Sequence, residues 1–447
     1  MALTGLDIFK LLPKTNCKKC GMPTCLAFAM ALAQKRAKLE ACPDVSEEAK
    51  KLLAEAAAPP MRLVKFGAGD GEVQVGQETV LFRHDEKFHN ATVLAVTISD
   101  KLAGDDLKKR IDAVNALKFE RIGLKIAVKA AAVVNDSGSA ETFANVAAAV
   151  KQASSLALIL CSDSAEAMAA AVAKTADGIP LLASATADTA DAMAKVAKEN
   201  KCPVVAKADS LEALSDLSEK INAAGVEDIV LSFDGLGLKE QLYNLTRARA
   251  LGVKKVFRPL GYPAISFVLG EDADSQAVAM SLICKYSSVV VIDTAEPYAI
   301  LPMLTAVMNI YSDPQKPVQV EPKVYAVGEP DDSSPLMFTT NFSLTYYTVE
   351  SDIESSRVPS HIIVVDTEGT SVLTAYSGDK LNEKTVSDAM TKNGVEKLVK
   401  HRKLIIPGYV AVMSGKLEEA TGWEVMVGPR ESAMLPKYLR EVWQSSS

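Results

Sequence analysis

Cys17, Cys20, Cys25 and Cys42 form a C-x2-C-x4-C-x16-C pattern that Pro43 closes. Four thiolates at two short spacings and one helix-length spacing suit a cubane 4Fe–4S cluster, in which every iron needs one soft anionic sulfur. Between Asn16 and Cys25, Gly21 permits a tight bend and Pro23 stiffens it, so this loop can wrap one face of a cluster. From Leu26 to Leu39 strong helix formers carry the chain back to Cys42. Zinc also accepts four thiolates, yet structural zinc sites usually pair two short knuckles, and the long arm to Cys42 is not a second one. Cys161, Cys202 and Cys284 are scattered without local partners and read as buried small hydrophobes.

A second group of residues could grip a large ligand. Thr339-Thr340-Asn341, Glu368 to Thr374, and Gly428 to Ala433 are rich in hydroxyls and glycine. Hydroxyls and free N–H groups at a helix start accept or donate to amide and phosphate oxygens. The plain alternative is helix capping by Thr, Asn and Ser. No GxGxxG is present, so a dinucleotide is not favoured. Tyr346 and Tyr347 could cover a ligand edge or pack in a core.

These residues need elements to hold them. Residues 1–58 read as a small helical cluster domain, ending in an Ala-rich stretch and Pro59-Pro60, a plausible hinge. Residues 59–92 read as a linker with hairpin strands at Arg62–Phe66, Glu72–Val75 and Thr79–Arg83. Over 93–312, apolar runs alternate with Ala-rich amphipathic segments. The runs are Val93–Thr97, Lys125–Lys129, Leu156–Leu160, Ile179–Ala183, Pro203–Lys207, Ile229–Phe233, Lys255–Arg258 and Val289–Ile292. Eight such units predict an α/β fold with a closed (β/α)8 TIM-type barrel, with an open doubly wound sheet as the competitor. Lys129, Asp163, Asp209, Asp234 and Asp293 are assigned to carboxyl ends of those strands, where barrel enzymes work; docking of partners is the preferred use. After a Pro-rich connector, residues 323–447 alternate again. Strands are expected at Lys323–Val327, His361–Asp366, Lys403–Ile406 and Trp423–Val427, giving a small Rossmann- or flavodoxin-like domain.

The 447 residues carry a net charge of -7, with 48% apolar and 23% charged side chains. An acidic balance disfavours nucleic acid, and no apolar run approaches the ~20 residues a bilayer requires. Asp7, Lys10 and Lys14 interrupt the N-terminal apolar residues, so no signal peptide is read and the expected compartment is the cytoplasm.

The cysteine segment, the barrel, and Val365-Asp366-Thr367-Glu368-Gly369-Thr370-Ser371-Val372-Leu373 in the last domain together resemble the large (gamma) subunit of the corrinoid iron–sulfur protein. The resemblance spans the chain in the same domain order. It implies a methyl carrier of the reductive acetyl-CoA pathway. A cobalamin-type corrinoid in its Co(I) state would accept a methyl group from methyltetrahydrofolate through a separate methyltransferase. Delivery would be to acetyl-CoA synthase, in a complex with carbon monoxide dehydrogenase. The same resemblance implies a heterodimer with a small barrel subunit. It assigns the corrinoid to Thr340, Tyr346, Thr370, Ser371, Val372, Leu373, Thr374 and Ala433. The 4Fe–4S cluster, on Cys17, Cys20, Cys25 and Cys42, would return Co(II) to Co(I). No side chain is catalytic in this scheme, because the cofactor performs the chemistry. Many corrinoid proteins ligate cobalt through Asp-x-His-x-x-Gly; here Asp366-Thr367-Glu368-Gly369 stands instead, matching a base-off arrangement, and His361 and His401 lie outside any such motif. An electron-transfer subunit without corrinoid and a pterin-dependent barrel methyltransferase are the alternatives.

Overall fold

The computed structural model describes residues 5–33, 36–46, 49–50, 53 and 59–443. The chain forms two compact units, Met1–Phe119 with Ile126–Tyr311, and Glu120–Lys125 with Ser312–Ser447.

In the first unit, helices Gly5–Leu11 and Cys25–Ala33 precede a short 3-10 turn at Leu39–Ala41. The helix expected to reach Leu39 is described as far as Ala33; residues 34–35 lie outside the described residues, and 36–38 are no longer helical. The proposed hinge at 56–58 lies outside the described residues.

Strands β1 (Leu63–Phe66) and β2 (Val73–Gly76) form an antiparallel hairpin. Thr79–Arg83, expected as a third strand, is irregular. The barrel follows: β3 (Val93–Ser99), then a small side hairpin of β4 (Lys118–Arg121) and β5 (Leu124–Ala127), then β6 (Ala130–Val134), β7 (Ala157–Cys161), β8 (Leu181–Ala185), β9 (Val204–Lys207), β10 (Ile229–Ser232), β11 (Ala264–Val268) and β12 (Ser287–Ile292). The eight strands β3 and β6–β12 pair in parallel and close on themselves. Two expected strands are corrected. Lys125–Lys129 is partly used by β5, and the barrel strand is the alanine-rich run after it, whose composition imitates a helix. Lys255–Arg258 ends the helix Leu238–Lys255 and enters a turn; the strand starts after Gly261-Tyr262-Pro263 breaks the chain direction.

Five alanines, Ala95, Ala130, Ala132, Ala157 and Ala183, stand among the Val, Ile and Leu side chains that line the barrel interior, and they leave space on one side. Native packing density leaves no such space empty. Val64, Phe66, Val73 and Val75 of the hairpin fill it from one end. That end is the amino-terminal one, since Gly67 N donates to Ile179 O (2.9 Å) and Arg62 N to Gly261 O (2.8 Å), both just before barrel strands. The segment read as a linker is thus a plug. Its tip has no room: a Cβ on Gly71 would lie 2.1 Å from the Ser155 carbonyl oxygen. Gly71→Ala is expected to destabilise the barrel by about 1–3 kcal/mol, the usual range for overpacking, read as a lower denaturation midpoint.

The second unit holds β13 (Val324–Val327), β14 (Leu336–Thr340), β15 (Ser360–Val365), β16 (Lys403–Ile406) and β17 (Glu424–Val427) in the order β13-β15-β14-β16-β17. Only the edge strand β13 is antiparallel. β14 was absent from the expected strands and is the central one. Without β13, the order is that of a flavodoxin-like sheet, whose direction of winding reverses between β14 and β16. Ligands of such sheets bind at the carboxyl ends beside that reversal. Among the described residues, no helix is long and apolar enough to cross a membrane.

Candidate functional site

The cysteine loop is built around Asn16 and the start of the helix Cys25–Ala33. Cys25 N donates to Asn16 Oδ1 (2.8 Å), while Asn16 N points at Cys25 Sγ (3.4 Å). An N–H aimed at a thiolate spreads its charge, one of the levers that tune iron–sulfur centres. Cys25 and Cys42 are buried with Ile8, Leu12 and Phe28; Cys20 is half-buried against them, and Cys17 is exposed. Burial pushes the Cys42 thiol up, the nearby Cys20 and Cys17 sulfurs add to this, and a backbone hydrogen bond at Asp44 opposes it. Lys19 pairs with Asp44 at 3.1 Å, and Cys17 Sγ lies 3.6 Å from the same carboxylate. Among the described residues, no group of three or more His, Cys, Asp or Glu side chains is drawn together closely enough to hold a metal ion.

Of the other cysteines, Cys202 is buried as expected, Cys161 is half-buried, and Cys284 is exposed, contrary to expectation. Burial pushes the Cys202 thiol up to about 11 and Cys161 up to about 12, so neither supplies a thiolate at neutral pH.

A cleft of about 340 Å³ opens in the second unit at the reversal between β14 and β16. Its floor is apolar, from Met337, Phe338, Ile405 and Leu435. Ser371, Val372 and Leu373 form one wall, and Gly428 to Ser432 form another. The loops after β16 and β17 are stitched together by Gly408 N to Pro429 O (3.0 Å) and Gly428 N to Ile406 O (2.9 Å). Tyr409 also lines the cleft and donates its hydroxyl to Glu431. Thr339 belongs to the lining as well. It is 1% exposed, and its hydroxyl has no partner within the chain. A buried hydroxyl without a partner is costly, so one facing a cleft marks a place where a ligand supplies the missing hydrogen bond.

The residues that the resemblance assigned are distributed unevenly. Ser371, Val372 and Leu373 line the cleft. Thr340 is fully buried beneath the strand, with its own hydroxyl unpartnered. Tyr346 is 2% exposed, lies against Tyr325 and Tyr347, and donates to Glu350 Oε1 (2.7 Å). Thr370 is held by Thr367, to whose carbonyl its hydroxyl donates (2.7 Å). Thr374 is exposed on the helix Val372–Ser377 and accepts from Ser371 Oγ (3.1 Å), while Ala433 is exposed in the last loop. Leu344, Thr345 and Tyr409 escaped the sequence reading, while Thr339, read there within the Thr339-Thr340-Asn341 loop, was passed over for Thr340 in the corrinoid assignment. Alternation along a strand was the available signal: Thr339 shares the face of Met337, and Thr340 takes the other.

At the barrel mouth, Asp163, Asp209, Asp234 and Asp293 follow β7, β9, β10 and β12 as expected. Lys129 precedes β6 and so lies at the opposite end, a correction that follows from the shifted strand. Asp293 accepts from Thr97 Oγ1 (2.7 Å) and Gly270 N (2.8 Å), and Lys207 pairs with Asp234 at 3.0 Å. Asp234 and Asp293 are thus satisfied within the chain.

A family model described as a putative Fe–S cluster matches residues 12–43, which contain all four cysteines. Another, described as CO dehydrogenase/acetyl-CoA synthase delta subunit, matches residues 63–439. The large subunit of the corrinoid/iron–sulfur protein of Moorella thermoacetica is 43% identical, over 98% of this chain and 99% of its own length. The chain belongs to this family of large subunits. Acetyl-CoA decarbonylase/synthase complex gamma subunits agree: that of Methanothermobacter thermautotrophicus is 37% identical over 98% of this chain and 99% of its own, and gamma 2 of Methanosarcina thermophila is 36% identical over 98% of each. The second model carries a delta-subunit name, but the full-length matches, cysteine segment included, are to large and gamma subunits.

Proposed function

We propose that this chain is the cofactor-bearing methyl carrier of an acetyl-CoA-forming system, holding a 4Fe–4S cluster and a base-off corrinoid. The observation that carries the reading is the cleft beside the β14/β16 reversal with the buried, unpartnered Thr339 hydroxyl on its wall. A flat macrocycle fringed with carboxamides needs such a combination, an apolar floor and hydroxyls or backbone groups at the edge. When bound, the corrinoid supplies a Co(I) nucleophile that takes up and releases the methyl group, and the cluster supplies the electron that restores it from Co(II). Ser371, Val372 and Leu373 would meet the corrinoid from one wall, with Thr340, Tyr346, Thr370, Thr374 and Ala433 completing or backing its surroundings. Cys17, Cys20, Cys25 and Cys42 would each hold one iron. A cubane has an iron at each corner of a cage, so its four ligands stand further apart than those of a single ion. Both the family assignment and the N–H directed at Cys25 Sγ support this. The fitting partners are a small barrel subunit, a methyltetrahydrofolate methyltransferase and carbon monoxide dehydrogenase/acetyl-CoA synthase. The exposed apolar side chains Leu344, Leu373, Tyr409 and Met434 around the cleft are consistent with a covering protein surface.

The absorption spectrum of the purified chain with its small partner tests the proposal. Corrinoid bands together with a broad iron–sulfur shoulder are expected; a shoulder alone would select an electron-transfer subunit. A finer test uses Thr374, whose hydroxyl is a very poor cobalt ligand. Thr374→His would add a real axial donor near the lower face, stabilise the higher oxidation states and make Co(I) harder to reach. Redox titration is expected to show a lower Co(II)/Co(I) midpoint in the variant, and an unchanged midpoint would place this helix away from the metal.

A further inference from the structure

Asn341 follows β14, is 0% exposed, and does not line the cleft. Its side chain is nevertheless the most connected polar group of the second unit's ligand end. Asn341 Oδ1 lies within hydrogen-bond reach of three donors: Thr367 N (3.0 Å), Gly369 N (2.9 Å) and the Thr367 hydroxyl (3.1 Å), which Thr370 O can also take (3.0 Å). Its Nδ2 donates to Asp366 Oδ1 (3.0 Å) and Gln319 Oε1 (3.1 Å). Its backbone takes part too, with N donating to Val365 O and O accepting from Val320 N, each at 2.9 Å.

These contacts define a turn that no local propensity would hold. Glu368 and Gly369 both have positive φ, at 55° and 73°. A non-glycine residue in that region is uncommon and needs support from its surroundings. Gly369 is also closed over from outside. A Cβ there would lie 2.7 Å from Gln319 Cγ and 3.0 Å from Pro317 Cβ. The turn is therefore pinned between the connector that enters this unit and the Asn341 amide. Ser371, Val372 and Leu373, the cleft wall, come next in the chain.

We propose that Asn341 is the positioning residue of the corrinoid site: it fixes the Thr367–Gly369 turn and so places the wall at Ser371–Leu373. This rests on the corrinoid reading given above. The job demands an amide, because one end of the side chain must accept and the other must donate. Aspartate has the same shape but would set a second carboxylate against Asp366. Leucine would leave Thr367 N and Gly369 N buried without an acceptor.

The test uses the full chain with its small subunit and hydroxocobalamin as the probe. Asn341→Ala is expected to weaken binding by roughly tenfold or more, as for the loss of several buried hydrogen bonds. Amide hydrogen exchange is expected to speed up at Thr367 and Gly369 while the β14 and β15 amides stay protected. Asn341→Asp is expected to match the alanine variant, and Asn341→Asp with Asp366→Asn to recover most of the loss by reversing donor and acceptor. That rescue would trace the loss to the Asn341–Asp366 pairing, and exchange confined to Thr367 and Gly369 would separate it from a general loss of folding. Gln319→Ala, at an exposed position that does not threaten folding, is expected to give a smaller loss of about threefold in the same direction. Binding within twofold of the parent in Asn341→Ala would overturn the proposal. So would exchange at Gly369 that Gln319→Ala leaves unaltered. A parent complex that takes up no hydroxocobalamin would instead remove the corrinoid reading, and this role with it.

Discussion

Cys42→Ala is expected to abolish reductive activation while leaving methyl transfer from an already methylated corrinoid largely intact. Cys42 is 4% exposed, among Cys25, Phe28 and Val45. Alanine fits that pocket, and the burial of this position would disfavour a solvent ligand in place of the lost thiolate. A labile or three-iron centre follows. Cys17 provides the contrast. It is exposed, so in Cys17→Ala a solvent ligand can substitute, and more of the iron is retained. Iron analysis and the EPR signal of the reduced cluster read both variants. Full iron and an unaltered signal in Cys42→Ala would remove this cysteine from the ligand set.

Arg249→Met is expected to cost about 3–5 kcal/mol, the usual penalty for stranding the partner of a buried ion pair. Arg249 and Glu78 are 5% and 4% exposed, with Nη2 and Oε2 3.4 Å apart. The guanidinium also donates to Val80 O from Nε (3.1 Å) and Nη2 (2.7 Å), and it stacks over Phe88 and Tyr286 at 5.2 Å each. Glu78 in turn accepts from His89 N and Asn90 N at 3.0 and 3.2 Å. The pair therefore staples the strap between the plug hairpin and β3. Burial raises the Glu78 carboxyl above its ordinary value, against the pull of Arg249, and the same burial lowers Arg249. Without the guanidinium, Glu78 rises further. A carboxyl whose pKa is higher folded than unfolded binds protons more tightly when folded, so its stabilising contribution is present in acid and lost as pH rises through the folded value. Arg249→Met should thus approach the parent in mild acid and fall furthest behind at neutral pH and above. Glu78→Gln, which keeps an acceptor for His89 N and Asn90 N, is expected to cost less, about 1–2 kcal/mol. Denaturation midpoints across pH check both, and a pH-independent deficit in Arg249→Met would mean that packing, not charge, accounts for the loss.

Much of the fold was legible because its signals are local. The four cysteines all fall between Cys17 and Cys42, so their spacing is written along the chain. The barrel shows itself as a repeated alternation, and six of its eight strands fall on the runs read from sequence. The two that shifted are instructive. Ala130–Val134 is a strand opened by three alanines, which favour helix, and burial on both faces of a closed barrel overrides that preference. Ala264–Val268 lay hidden behind a turn at Gly261–Pro263.

By itself, then, the sequence determined the four-cysteine motif, the order of the parts and the family to which the chain belongs. The tertiary structure decided what depends on pairing between distant segments. It made the 63–76 hairpin a plug rather than a spacer, since only the closed barrel presents an interior, opened by five alanines, for it to fill. It set β14 at the centre of the second sheet, which puts the cleft beside it. It turned Thr339 toward that cleft and Thr340 away, because neighbouring residues of a strand face opposite sides and one residue of register exchanges them. It gathered Gln319, Asp366 and Gly369 around the Asn341 amide, from positions fifty residues apart at the extremes. No spacing rule encodes such a meeting, because each contact exists only once the sheet order has been chosen.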